Sequence, residues 1–259
     1  MAQFIKTAVE QGAGIVSINN PPANVLSKAV LFEIRDAIAA FQKDPAVRGI
    51  VLTGEGANFA AGADVREIAT ISDPAAGEKI SLEAHALVKG IEESEIPVVA
   101  AINGYCMGGG CELVLACHLR IASDKARIGQ PEIKIGIVPG MGGMVRLPRL
   151  VGPAAALEML LTGDPIGAQD AHRIGLVNLV VPEADLRRQA VMFVAKRIGA
   201  MSRVAVAKIL RGVRESLAMA PADAIKLEAK LFGEIVATED KAEGVKAFME
   251  KRQPSWKNK

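Results

Sequence analysis

At 259 residues, 50% apolar and 23% charged, the chain is long enough for one large domain or a domain with a smaller appendage, and can bury a real core. A net charge of +2, with one Trp, one Tyr and seven Phe, argues against a basic nucleic-acid surface and an aromatic base-stacking platform. Cys106, Cys111 and Cys117 lie in one apolar stretch without CxxC spacing, which excludes a disulfide framework and a zinc site and makes them reduced core thiols.

In chain order, residues 1–14 hold neither a long apolar run nor an Arg-rich amphipathic pattern, so no targeting segment is expected. Residues 14–18 and 49–53 are β-branched runs that predict strands. Between them NNPPANVLS is a loop, because Pro21 and Pro22 interrupt regular structure, and Ser27 suits the N-cap of a helix reaching about Gln42. GEGANFAAGAD, 54–64, is rich in glycine and alanine, so its backbone can approach a neighbour closely. A helix over 78–93, a buried strand over 97–102 and a turn at Asn103-Gly104 follow. CELVLACHLR, 111–120, reads as helix and 120–123 as a short strand; GQPEIKIGIVPGMGGMVRLPRL, 129–150, reads as mostly loop. Residues 154–161 and 168–174 are helical, the latter stopped by Gly175, and 177–181 is a strand. From 183 to 252 the spacing is helical throughout. The chain therefore divides into a strand-and-helix body, 1–182, and a helical C-terminal region, 183–259. The longest apolar stretch, 96–117, is broken by Asn103, Glu112 and three glycines and makes a poor membrane span, so a cytoplasmic protein is expected.

The chemistry centres on INGYCMGGGCELVLACHLR, 102–120. A strand, then Gly108, Gly109 and Gly110, then a helix leaves the first helical N–H groups unpaired, at the positive end of the helix dipole. No GxxxxGK[ST] is present, GEGANF and GMGGMV both lack the last glycine of GxGxxG, and there is no GxSxG. What remains is a pair of donors for a developing oxyanion with no nucleophile beside it. Glu112 lies in the first helical turn, where the dipole favours its ionised form and suits it to act as a base. Glu132 follows Pro131, which fixes the backbone before it. Two carboxylates near one oxyanion site make an acid–base pair for adding water across a bond. A structural reading fits the same residues: Glu112 as dipole partner, Glu132 as surface loop, the glycines as packing devices. Spacing alone does not decide between them.

The segments NFAAGADVREI (58–68), PVVAAINGYCMGGGCELVLACHLRIAS (97–123), IGQPEIKIGIVPGMGGMVRLPRLVG (128–152), LTGDPIGAQDAHRIGLVNLVV (161–181) and TEDKAEGVKAFMEKRQPSW (238–256) together resemble the enoyl-CoA hydratase, or crotonase, superfamily across essentially the whole chain. The resemblance implies an α/β fold, a crotonase-like spiral of ββα units with a helical C-terminal trimerisation region, and a trimer or dimer of trimers. It implies a lyase that adds water syn, and reversibly, across the 2,3 double bond of a 2-enoyl-CoA, as in β-oxidation of fatty acids. It makes Glu112 and Glu132 catalytic and the amides of Ala63 and Gly109 the oxyanion hole. Gly140 would help hold the water, and Ala61, Asp64, Val65, Arg66, Phe248 and Lys251 would approach CoA. CoA arrives as part of the acyl-CoA substrate, and no cofactor, metal, nucleic acid or membrane partner is implied.

Arg66 stands where many relatives carry lysine. NNPPANVLS departs from the commoner Asn-Ala-Leu pattern, which keeps cyclic enoyl- or dienoyl-CoA hydration open. Enoyl-CoA isomerisation needs only one proton shuttle, so two glutamates favour hydration. An RNA-binding relative would want a basic cluster that the charge does not suggest. His85 and His172 read as packing or surface residues, a Cys117–His118 metal pair is not expected, and Lys28 is placed either toward CoA phosphates or in solvent.

Overall fold

The computed structural model describes residues 3–259; Met1 and Ala2, the first residues of the expected body, lie outside the described residues. The first strands are β1 (Ile5–Glu10), β2 (Ala13–Ile18), β3 (Gly49–Gly54), β4 (Val98–Ile102) and β5 (Tyr105–Met107). They are followed by β6 (Leu119–Ser123), β7 (Arg127–Gly129), β8 (Ile166–Gly167) and β9 (Leu179–Val181). The main sheet has the order β1-β2-β3-β4-β6-β9, parallel except for β1, and a smaller sheet runs β5-β7-β8. The pairs β4/β5 and β6/β7 each give one strand to each sheet before the chain turns into helix, and Ala60, after β3, bridges Cys106 of β5 in the same way. This repetition is the ββα spiral.

The inner strands β2, β3 and β4 are buried on both faces, which is why they read as continuous apolar runs, while the edge strand β1 is mostly exposed. Val16, Ile18, Ile50, Leu52, Val98, Ala100 and Ile102 face one core, filled from helices α1 (Lys28–Lys43), α3 (Pro74–Glu92) and α4 (Gly109–Ala116) and, later in the chain, by Leu147, Ala156, Met159, Ala168 and Ala171, whereas the short α2 (Val65–Ala69) buries none of its residues. Ser27 caps α1 as expected, its Oγ accepting from the Val30 N–H. The alternate residues Ile15, Val51, Val99, Ala101 and Ile121 face a second core.

Two expectations are corrected. The helix expected to run through 120 stops at Ala116, because Cys117 is extended (φ −70, ψ 149) and Arg120 turns back onto the helix end. Its buried guanidinium donates to the carbonyls of Cys117 (2.6 Å), Val114 (3.1 Å) and Leu176 (2.7 Å), a cation satisfying the helix C-terminus. The segment 129–150 is more regular than expected: after β7 come a 3-10 turn (Pro131–Ile135) and α5 (Gly143–Val151), a helix that holds Pro148 inside it and buries Gly143 and Leu147.

Then follow α6 (Pro153–Thr162), α7 (Ala168–Arg173) and, after the last strand, α8 (Leu186–Met192), which runs on as a π-helical segment to Ile198. Leu186, Ala190, Val191 and Val194 fill the second core together with Val181, so packing is continuous across residue 182. Helices α9 (Arg203–Ser216), α10 (Pro221–Val236) and α11 (Glu239–Met249) extend beyond it. Among the described residues, no helix is long and apolar enough to cross a membrane.

Candidate active site

The three consecutive glycines each answer a different local demand. Gly108 has φ 51 and ψ −122, a backbone that L side chains avoid, and a Cβ there would stand 2.9 Å from Glu132 Oε1. Gly109 faces Ala63: a Cβ would lie 3.4 Å from the Ala63 nitrogen. Gly110 lets α4 close on the preceding segment, since a Cβ would lie 2.5 Å from the Ala60 carbonyl oxygen. Among the described residues, neither the Ala63 nor the Gly109 N–H finds an acceptor within the chain, so two adjacent amide donors stand open.

Ala63 is held from both sides. Asn103, buried in the turn after β4, accepts from the Gly54 N–H (3.3 Å) and donates to the Gly56 carbonyl (3.0 Å). Asn24 donates to the carbonyls of Glu55 (3.0 Å) and Asn58 (2.8 Å). The Leu26 N–H donates to the Gly62 carbonyl at 2.8 Å, and the Ala61 N–H to the Ala23 carbonyl at 3.0 Å. The NNPPANVLS loop thus acts as the clamp that sets the 54–64 segment.

Glu112 is 3% exposed. Its Oε1 accepts from the N–H groups of Met141 (2.7 Å) and Gly143 (2.8 Å). Burial raises its pKa, and these two amides together with the positive charge of Arg146 oppose the rise. The helix end alone suggested easy ionisation; burial outweighs it. Glu132 rides on the 3-10 turn with Pro131 at the first position. Burial pushes its pKa up to about 7, and the nearby Glu112 charge adds to the rise. Gln130, 1% exposed, stands behind it: with its amide nitrogen toward the carboxylate it donates to both Glu132 oxygens at 3.2 Å. The structure therefore brings Glu112, Glu132, Ala63 and Gly109 around one small space.

Gly140 lies on the loop before Met141; its carbonyl accepts from Ser81 Oγ at 2.6 Å, and among the described residues its N–H has no acceptor within the chain. Ala61, Val65 and Arg66 are exposed beside Ala63. Asp64 caps α2, accepting from the Arg66 N–H at 2.9 Å, and the Arg66 guanidinium folds back on it at 2.7 Å. Phe248, 86% exposed, and Lys251 lie at the end of α11, and among the described residues no hydrogen bond or ion pair joins that helix to the glutamates or to residues 61–66. Lys28 is paired with Glu83 and lies over Phe32. His172 Nδ1 is 3.1 Å from the Val177 carbonyl, and His118 Nδ1 accepts from the Val98 N–H at 3.0 Å. Among the described residues no group of His, Cys, Asp and Glu is arranged to hold a metal ion. Sequence reasoning missed Gln130, Arg146 and the Met141 and Gly143 amides; the Gln two residues before Glu132 and the glycine-rich GMGG run were the available signals.

Residues 8–259 match the family model described as enoyl-CoA hydratase/isomerase. The chain is 42% identical to a crotonyl-CoA hydratase of Syntrophomonas wolfei over 96% of both chains. It is 39% identical to a probable enoyl-CoA hydratase of Bacillus subtilis over 98% of both. Its fold is similar to a crystal structure of enoyl-CoA hydratase from Bacillus anthracis, with a TM-score of 0.92 at 34% identity, covering 99% of this chain and 100% of that one. The chain belongs to the enoyl-CoA hydratase/isomerase family, and its fold is that of the crotonases.

Proposed function

We propose that this protein is an enoyl-CoA hydratase, a hydro-lyase that adds water reversibly across the 2,3 double bond of a 2-enoyl-CoA thioester. The observation that carries this reading is the convergence of two carboxyl groups of unequal character, Glu112 and Glu132, beside two open amide donors, Ala63 and Gly109. The thioester carbonyl oxygen accepts from both amides. When water attacks C3, negative charge moves onto that oxygen, where the fixed donors and the α4 dipole stabilise it; losing one such donor typically lowers the rate about 10²–10³-fold. Glu112, gripped by backbone amides and facing a cation, takes the proton from water. Glu132, which keeps its proton to about pH 7, delivers one to C2. The open N–H of Gly140 suits a ligand of the water. CoA enters as part of the substrate along the exposed 61–66 edge, with Phe248 and Lys251 of a neighbouring subunit in a trimer or dimer of trimers. The same reading puts the protein in cytoplasmic acyl-CoA degradation of the β-oxidation type.

The test is loss of the conjugated enoyl-thioester absorbance with crotonyl-CoA, beside a Glu132→Gln variant. Fast loss that falls by roughly 10²–10⁴-fold in the variant supports the assignment. A folded wild-type protein that leaves crotonyl-CoA untouched refutes the short-chain reading and turns the search to cyclic enoyl-CoA substrates.

A further inference from the structure

Arg146 is tied to the site without touching the reacting space. It extends from α5 with its side chain only 12% exposed. Its Nη1 donates to the Met141 carbonyl at 2.7 Å, while Nε and Nη2 donate to the two Glu92 carboxylate oxygens at 2.8 and 2.7 Å. This is the bidentate fork that an arginine makes and a lysine cannot. The guanidinium lies against Gly142, where φ is 117 and a Cβ would stand 1.8 Å from Nη1. The residues on either side of Gly142 are the ones whose N–H groups grip Glu112. Glu92 is itself anchored at the end of α3, its carbonyl accepting from Arg214 of α9 at 3.1 Å.

We propose that Arg146 is a positioning residue for Glu112: seated on Glu92, it holds the Met141 carbonyl and the Gly142 backbone so that the amides of Met141 and Gly143 stay aimed at the Glu112 carboxylate. The three-residue loop is gripped on one side by a cation and grips an anion on the other. Peptide dipoles so aligned carry the influence of the guanidinium to the carboxylate, beyond its direct Coulombic attraction. The other ionisable groups around this arrangement are Cys111 on α4, Glu132 on the 3-10 turn, and His85 and Glu92 on α3. His85 lies against Gly142, and burial beside Arg146 keeps its imidazole below the ordinary pKa, so it adds no second cation there near neutral pH.

The inference rests on the reading of Glu112 as the base that receives the water proton, and its decisive measurement is independent of turnover. The Glu112 carboxyl is titrated by carbon NMR without substrate in the wild type, Arg146→Gln and Arg146→Lys. The expected result is titration at higher pH in Arg146→Gln, with Arg146→Lys between, since lysine restores the charge but not the fork. With crotonyl-CoA, Arg146→Gln then loses roughly 10–100-fold in kcat at nearly constant KM, as expected for a misaimed base. An Arg146→Lys titration of Glu112 that matches the wild type overturns the proposal, because the charge then suffices without the fork, and so does an unmoved titration in both variants. If Arg146→Gln does not fold, Arg146→Lys against the wild type decides by the same criterion. If the wild type does not hydrate crotonyl-CoA but the titration moves as stated, the hydratase reading fails and the positioning role stands.

Discussion

Glu112 and Glu132 differ in what surrounds their oxygens, and that difference has two measurable consequences. Both are raised by burial, but Glu112 has two backbone donors and a cation against the rise, whereas Glu132 has the Glu112 charge beside it. In the hydration direction the acid must be protonated and the base ionised. The kcat/KM profile is therefore expected to be bell-shaped, with an alkaline limb near pH 7 from Glu132. The limbs belong to the coupled pair, and the check is that Glu132→Gln removes the alkaline limb along with most of the rate. The second consequence concerns stability. A carboxyl whose folded pKa is about 7, against 4.5 in the unfolded chain, binds its proton more tightly when folded. Its ionisation destabilises the fold as pH rises through that window. Glu132→Gln is expected to be more stable than the wild type at pH 8 by about 1–3 kcal/mol, allowing for the partial exposure of the group, with the gain fading as pH falls toward 4.5. Denaturant melts of both proteins at pH 5 and pH 8 check this; equal stabilities at pH 8 would contradict the raised pKa. Both glutamates were candidates in the sequence because their immediate neighbours, a helix start and a proline, are local signals. Their meeting was not legible, and neither were the grips on them. Backbone amides such as those of Met141 and Gly143 carry no residue-type signature, and Arg146 looks like any helix arginine until Glu92, far away in sequence, is seen to hold it.

An element is set in place by its tightest contact, and for α4 that contact is Gly110 on Ala60. Gly110→Ala would push a methyl into a carbonyl, so α4 must shift and carry the Gly109 N–H with it. The expected result is a loss of about 1–3 kcal/mol of stability and a fall in kcat. The contrast is Gly90, inside α3, where a Cβ would meet nothing within 4 Å. Gly90→Ala is expected to raise stability by up to about 1 kcal/mol through helix propensity and a less free unfolded chain, with activity unchanged. Thermal melts and crotonyl-CoA assays of the two variants check the pair; similar behaviour would show that glycine content, not the Ala60 contact, governs α4. The elements the sequence revealed are those with one dominant local signal: the Ser27 cap, and the apolar runs of β3 and β4. The β1–β2 hairpin was hidden because its two-residue turn is Gln11-Gly12, with φ 52 and 85. Glutamine is not a typical residue for a first turn position with positive φ. Strand β1 is mostly exposed and lacks the apolar run of its partner. Helix α5 was masked by Pro148 and the surrounding glycines, although its buried stripe needs only Gly143 and Leu147. The overextended α4 failed for a tertiary reason, Arg120 returning from the next strand to close the helix end.

The whole molecule leaves an apolar surface that a single chain does not cover. Helix α9 buries none of its residues, and Ile209 (64% exposed) and Val213 (59%) face outward with Ile225 and Phe232 (each 69%) of α10. Between the two helices runs a groove of about 570 Å³ lined by these side chains. Surfaces of this kind are association sites on soluble proteins, and the helical tail is where the family resemblance expects subunits to meet. Periodicity identified the helices but not their partner, because an exposed apolar stripe and a core-facing one have the same pattern in sequence. The expected solution state is a homo-oligomer of three or six chains, and Phe232→Glu, which puts a charge on that surface, is expected to yield monomers. The glutamates and open amides all lie on the body, and among the described residues the hydrogen bonds that α9 makes to the body, from Arg214 to the Glu92 carbonyl and from Arg203 to the Gln42 and Asp44 carbonyls, do not end on them. Monomers should therefore keep kcat within a small factor. If Phe248 and Lys251 serve a neighbour's CoA, KM for crotonyl-CoA should rise by roughly tenfold or more, the loss of about 1.4 kcal/mol of binding. Light scattering with steady-state kinetics on the wild type and Phe232→Glu separates the possibilities. A monomeric wild type contradicts the assembly, and a Phe232→Glu monomer with unchanged KM confines the CoA site to one chain.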